Sequence, residues 1–149
     1  MSNTSIWMPH VTVAAVVEQE GRFLMVEEHT SEGLQLNQPA GHWEQGESLL
    51  DAVVRETLEE SAWHFVPSAL LGVYHWRMPY LDRTYLRFAF VGNVQGFDAG
   101  RQLDIGIVRT LWLTPTEISE SIDRLRSPLV QQCVQDYLAG VRFPLAVLR

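Results

Sequence analysis

A single cysteine, Cys133, is the only thiol in this chain of 149 residues, so no intrachain disulfide can form. No apolar run reaches the length of a membrane span or of a signal-peptide core, which makes a cytoplasmic location the default expectation and leaves no membrane partner. Positive charge is scarce. Eleven Lys and Arg face 18 Asp and Glu, and a net charge of −7 argues against stable binding of nucleic acid through phosphate contacts. An acidic protein that handles an anionic substrate needs a metal ion between the two. The histidines, His10, His29, His42, His64 and His75, are scattered, and none has a paired Cys or His at zinc-ligand spacing. No glycine-flanked serine elbow surrounds Ser127, and Cys133 lacks a catalytic-cysteine context. Repeats, linkers and low-complexity tracts are absent too. With 46% hydrophobic residues, 1–149 reads as one domain able to bury a sizeable core.

What the chain does have is the stretch Gly41 to Trp63, which sets a glycine turn, a polar loop and an acid-loaded helix in succession. Ser48 precedes an apolar-periodic run free of Gly and Pro, which predicts an N-cap and a helix over 48–62. At about 100° per residue, Glu56, Glu59 and Glu60 share one face, and Leu50, Val54 and Leu58 form the stripe expected to meet the core. Crowded like charges disfavour such a helix by roughly 0.2–0.5 kcal/mol per i,i+4 pair. Arg55 can pair with Glu59, which leaves Glu56 and Glu60 facing the same space. A hard divalent cation suits that space: magnesium, or manganese, takes oxygen ligands from a few carboxylates together with substrate phosphate.

In chain order, Val11–Val17 reads as a central strand buried on both faces, and Arg22–Val26 as its hairpin partner across a turn at Glu18–Gly21. Thr30–Leu36 reads as a polar loop. After the helix, Ala69–Trp76 and Thr84–Val91 are strand candidates joined by a turn at Pro79–Arg83. The second strand sets Leu86, Phe88 and Phe90 opposite Tyr85, Arg87 and Ala89. Arg87 is a candidate for a substrate phosphate, and Tyr85 and Trp76 for stacking on a base or pyrimidine ring. Gly92–Gly106 reads as a long loop bordering the site, carrying Asp98 and Asp104. Val108–Leu113 is a short strand. Thr114 opens a helix to about Arg124 with proline at its first position, and Leu129, Cys133, Val134 and Leu138 mark a last helix ended by Gly140. Helices interleaved with buried strands place the chain in the α/β class, as an α/β/α sandwich around a mixed sheet.

Gly41, five residues, Glu47, seven residues, Arg55-Glu56, two residues and Glu59-Glu60 resemble the Nudix hydrolase signature GX5EX7REUXEEXGU position by position. Thr57 stands where that signature has an aliphatic residue, and Ala62 where it has glycine; Ala62 is expected to end the helix without a left-handed conformation. The resemblance implies a Nudix-type sandwich in which Glu56, Glu59 and Glu60 hold the metal with the backbone carbonyl of Ala40. The segments PHVTVAAVV, NQPAGHWE, LDIGI and LRSPLV extend it toward the bacterial NudJ-type phosphatases of that family. That in turn implies hydrolysis of nucleoside di- and triphosphates, or of the thiamine-pyrimidine pyrophosphate, with release of orthophosphate. Water at the metal is then the expected nucleophile, with Arg55 expected to orient the acids and Glu60 or Asp104 as candidates for the general base, Glu60 by its place in the signature. The alternatives are a Nudix pyrophosphatase on another nucleotide and a silent nucleotide-sensing module, in either a monomer or a homodimer.

Overall fold

The computed structural model describes residues 4–149, so the first three residues of Met1–Met8, which the sequence marks as a short polar lead, lie outside it. The β-branched run forms β1 (His10–Val16), and Val13 to Val17 are wholly buried. Burial on both faces follows from its place in the sheet. One edge pairs antiparallel with β5 (Ala40–His42), and the other pairs parallel with β7 (Arg83–Phe97). β7 in turn pairs antiparallel with β6 (Trp63–Met78), which gives a mixed sheet of order β5-β1-β7-β6.

The expected hairpin between Val11–Val17 and Arg22–Val26 is not formed along β1. With both of its edges taken by β5 and β7, β1 has none to offer, and only its short continuation β2 (Glu18–Gln19) pairs with β3 (Arg22–Thr30). β3 lies instead in a second, antiparallel sheet, between β4 (Gly33–Asn37) and β8 (Ile107–Leu113). The polar segment expected as a loop at Thr30–Leu36 is thus largely hairpin. Its turn closes because the Thr30 hydroxyl accepts from the Glu32 N–H at 3.1 Å and donates to the Gly33 carbonyl at 2.9 Å. The apolar-in, polar-out alternation that marks a strand is missing because β4 exposes Leu34 and buries the polar Gln35 and Asn37.

β6 and β7 run further than expected, paired from Trp63 opposite Phe97 to Met78 opposite Arg83. β6 carries three register shifts, one of them directly after Pro67, a residue that an edge strand tolerates because no ladder N–H is needed on its outer side. The loop expected over Gly92–Gly106 therefore shrinks to Asp98–Gly106.

Alternate residues of β1 feed two cores. Val13, Ala15 and Val17 pack with Leu24, Phe65 and Phe90 under α1 (Leu49–Ser61). Val16 packs with Met25, Leu71 and Ala89 under α3 (Pro128–Leu138), whose Leu129, Val130, Cys133 and Val134 are buried. This is the α/β/α sandwich expected. Thr114 caps α2 (Pro115–Glu120), accepting from the Glu117 N–H at 3.2 Å, and the chain tightens to a 3-10 turn at Ile122–Arg124 instead of continuing as α-helix. Gly140, at φ 81°, ends α3, and only a 3-10 turn at Leu145–Val147 follows it.

Candidate active site

Ser48 starts α1, its hydroxyl accepting from the Asp51 N–H at 3.0 Å. The helix lies differently from the expected amphipathic orientation. Ala52, Val53 and Thr57 take the buried face together with Glu56 and Glu60, whereas Leu50, Val54 and Leu58 are only partly covered. Thr57 fits a wholly buried position because its hydroxyl donates to the Val53 carbonyl at 2.7 Å. The two acids are buried because they meet the backbone of β5 rather than an apolar wall. Glu56 lies on Gly41 so closely that a β-carbon there would collide with its carboxylate. Glu60 accepts from the Ala40 N–H at 2.8 Å.

The helix ends on Ala62 at φ 62°, a left-handed residue after all. The chain must turn directly into β6 at Trp63, and a left-handed residue at the helix end makes that reversal in one step. The Ala62 carbonyl accepts from the Asp98 N–H at 2.8 Å, and the Glu59 carbonyl from the Asp104 N–H at 3.0 Å. The last turn of α1 therefore holds the Asp98–Gly106 loop at two points. Asp98 contributes its backbone and its side chain is exposed; Asp104 brings a carboxylate to the helix.

Arg55 ties the acids together. Its Nε and Nη2 donate to the two oxygens of Glu47 at 3.0 and 2.7 Å, and its Nη1 donates to Glu56 at 2.8 Å and Glu59 at 3.2 Å. Glu47, rather than Glu59, is its main partner, and the Arg55 hydrogen bond holds the Glu47 carboxyl below the usual carboxylate range. The remaining charge is concentrated: carboxylate oxygens of Glu56, Glu59 and Asp104 lie within 4.8 Å of one another. Glu60 stands beside this trio. Burial pushes its carboxyl up to about 9, Glu28, Glu56 and Asp104 add to the rise, and the Ala40 N–H opposes it. Burial also raises Glu56. An all-oxygen donor set of this charge fits a hard divalent cation and offers no thiolate or imidazole to a softer one.

Ala40 and Gly41 also border a cavity of about 150 Å³ whose wall includes Glu28, Trp76, Tyr85, Arg87 and Arg126. Trp76 and Tyr85 are stacked, with centroids 6.2 Å apart and planes 20° from parallel. Arg87 is 5% exposed, and its guanidinium donates to Asn37 Oδ1 and Gln38 Oε1, both at 2.9 Å. Among the described residues no carboxylate pairs with it. Trp76, Tyr85, Arg126 and Glu28 also line an adjoining open groove of about 1070 Å³. Two of the histidines are less scattered than they look in sequence: His10 Nδ1 and His42 Nε2 meet at 3.1 Å, and burial lowers the His42 pKa. Neither periodicity nor spacing marks Glu28, Asn37, Gln38 or Arg126 as functional residues; Asn37 and Gln38 have only their places in NQPAGHWE. Extending the second strand past Val26 would have carried Glu28 into the sheet; Arg126 gave only the weak signal of its place in LRSPLV.

The sequence profile of the NUDIX domain matches residues 8–133, the span that contains both the acid cluster and the cavity. The chain belongs to the Nudix hydrolase family. It is similar to the phosphatase NudJ of Escherichia coli K12, 38% identical over 96% of this chain and 92% of that protein. Among solved structures, a NUDIX hydrolase from Nitrosomonas europaea is 50% identical, covers 95% of this chain and 97% of its own, and superposes with a TM-score of 0.93. A MutT protein from Methanosarcina mazei Go1, 20% identical over 91% of this chain and 99% of its own, shares the fold at a TM-score of 0.71. This Nudix hydrolase is therefore an enzyme, and Arg55, Glu56, Glu59 and Glu60 are the charged core of its signature.

Proposed function

We propose that this Nudix hydrolase cleaves phosphoanhydride bonds of small di- and triphosphates, with magnesium or manganese as cofactor, and releases orthophosphate. The observation that carries the reading is the meeting at Ala40 and Gly41 of an acid cluster with a cavity that holds a buried, carboxylate-free guanidinium beside two stacked rings. An anionic substrate with an aromatic head matches that pairing. Glu56, Glu59, Asp104 and Glu60 with the Ala40 carbonyl are the residues that would hold the cation, which when bound neutralises phosphate charge and makes water a better nucleophile. Arg55 orients Glu56 and Glu59, and Arg87 takes a phosphate oxygen. Glu60 and Asp104 are the proton acceptors assigned, Glu60 by its place in the signature and Asp104 by its place in the trio.

The inner cavity of about 150 Å³ is below the roughly 300–1,000 Å³ of most small-molecule pockets, which favours a single ring there over a purine. The pyrimidine pyrophosphate of thiamine synthesis fits that size, and guanosine diphosphate follows if its base extends into the groove. A single domain, acting in the cytoplasm as a monomer or homodimer, completes the proposal; no helix among the described residues is long and apolar enough to cross a membrane. The test is a panel of these compounds and capped RNA, with orthophosphate and pyrophosphate detected separately. Orthophosphate should appear with magnesium, vanish in excess EDTA and return on adding magnesium. Full activity in chelator would remove the metal from the reading. Pyrophosphate as the sole inorganic product from triphosphates, or a preference for capped RNA, would move the chain to a Nudix pyrophosphatase of different specificity.

A further inference from the structure

Two neighbouring glutamates on β3 meet three arginines, and the two meetings differ in kind. Glu27, 5% exposed, accepts from both Arg109 and Arg124 and is occupied by them. Glu28 has a looser tie: Arg126 Nη1 reaches one of its oxygens at 3.3 Å, well beyond the about 2.7–2.9 Å of a strong charge-assisted bond. That single contact leaves most of the guanidinium's donors unengaged among the described residues. The backbone beneath the side chain is fixed. The Arg126 N–H donates to the Leu36 carbonyl at 2.8 Å, Leu125 bridges Leu36, and Ser127 caps α3. The Arg126 guanidinium thus projects from a rigid base, on the wall shared by the small cavity and the open groove.

The same small cavity already holds the buried Arg87. Two guanidiniums converging on one cavity, in a protein of net charge −7, mark it as a place for an anion. We propose that Arg126 is a phosphate-binding residue of the substrate site, released from Glu28 when a phosphorylated substrate enters. This rests on the phosphoanhydride reading above. A guanidinium fork matches two phosphate oxygens at once, so exchanging a single long contact for a bidentate one favours the bound state. Glu28, left in a largely buried position, holds Arg126 back when no phosphate is present. The substrate's charge is then divided between the arginine pair on one side and the acid cluster with its cation on the other.

The experiment compares Arg126→Gln, Arg126→Lys, Glu28→Gln and Arg124→Gln with the unaltered enzyme, on whichever compound of the panel it hydrolyses. Arg126→Gln should raise KM by about tenfold or more while kcat stays within about threefold, the pattern of lost ground-state and transition-state binding alike. Arg126→Lys should recover part of that loss, and Glu28→Gln should lower KM. Arg124→Gln, which removes only the neighbouring arginine, should lower the melting temperature and leave KM unchanged. An unchanged KM in Arg126→Gln, a raised KM in Glu28→Gln, or an equal rise in Arg124→Gln would each overturn the proposal. If the unaltered enzyme releases phosphate from none of the compounds, the phosphoanhydride reading fails on its own. Arg126 is then judged by calorimetric titration with inorganic pyrophosphate and magnesium: weaker binding in Arg126→Gln sustains the proposal and equal binding overturns it.

Discussion

Replacing Arg55 by alanine should destabilise the protein strongly, because this one side chain hydrogen-bonds three carboxylates, Glu47, Glu56 and Glu59. Hydrogen bonds to charged groups contribute about 1.5–3 kcal/mol each where they are buried. The Arg55 side chain is 24% exposed, and its partners Glu47, Glu56 and Glu59 are 17%, 11% and 29% exposed, so each contact is partly screened. Breaking a fully buried pair costs about 3–5 kcal/mol, which sets the upper end. The expected loss is about 2–4 kcal/mol, or roughly 5–15 °C in melting temperature for a domain of this length. The pH dependence has a definite sign. Arg55 depresses the folded pKa of Glu47, so its pairing contributes stability above the unfolded carboxylate pKa and loses it as pH falls through the depressed folded value. In Arg55→Ala the orphaned carboxylates are instead relieved by protonation. Urea unfolding at about pH 7 and about pH 5 should therefore show the gap between variant and wild type narrowing at the lower pH, and magnesium should narrow it at the higher. Arg55→Lys should fall between the two, since an ammonium keeps the charge but cannot make the two-pronged contact with Glu47. A gap below about 1 kcal/mol at neutral pH, or one that ignores both pH and magnesium, would refute the assignment of Arg55 as the hub of the cluster.

Glu60→Gln should reduce kcat by orders of magnitude with the fold intact, and Glu59→Gln should hurt less because Glu59 is tied to Arg55; near wild-type turnover in both would put the cation elsewhere. Burial alone would raise the Glu27 carboxyl, but the hydrogen bonds from Arg124 and Arg109 overcome it and leave the pKa lowered. Glu27→Gln should thus cost about 1–2 kcal/mol near neutral pH and progressively less as pH falls below the ordinary carboxylate range through the depressed folded value, and a pH-independent loss in chemical denaturation would count against the ion pairs. At Ala62, glycine should be close to neutral, since relief of about 1–2 kcal/mol of left-handed strain offsets a lost buried methyl worth about 0.8 kcal/mol and a looser unfolded chain. Ala62→Val should lose about 2–4 kcal/mol, because a β-branched residue resists that conformation in a buried place; a thermal melt in which valine is tolerated would contradict the left-handed cap.

Local chemistry was legible in the sequence wherever one short segment specifies its own shape. The cap at Ser48, the cap at Thr114 and the extent of α1 all lie within hydrogen-bonding reach along the chain. The acid spacing of the signature could be read for the same reason. What could not be read depends on which edge of which strand is already occupied. The separation of β3 from β1 is decided by β5 and β7, which arrive from distant parts of the chain. The burial of Glu56 and Glu60 is decided by the β5 backbone, not by the apolar periodicity of the helix that carries them. Glu28 and Arg126 are 98 positions apart and meet only because Leu125 and Leu36 bridge their strands and loop.

The two hydrogen bonds that fasten the Asp98–Gly106 loop to the end of α1 make that region one mechanical unit. If the last turn of the helix frays, the Asp98 and Asp104 amides lose their acceptors in the same event, so the four groups open together. In hydrogen exchange the amides of Asp98, Asp104 and Ala62 should share one opening free energy, lower than that of β1, and should slow in concert when the carboxylates are neutralised. The acid cluster then behaves as a latch: its occupancy by positive charge reports on, and tightens, a helix terminus that contributes no ligand beyond Glu59 and Glu60.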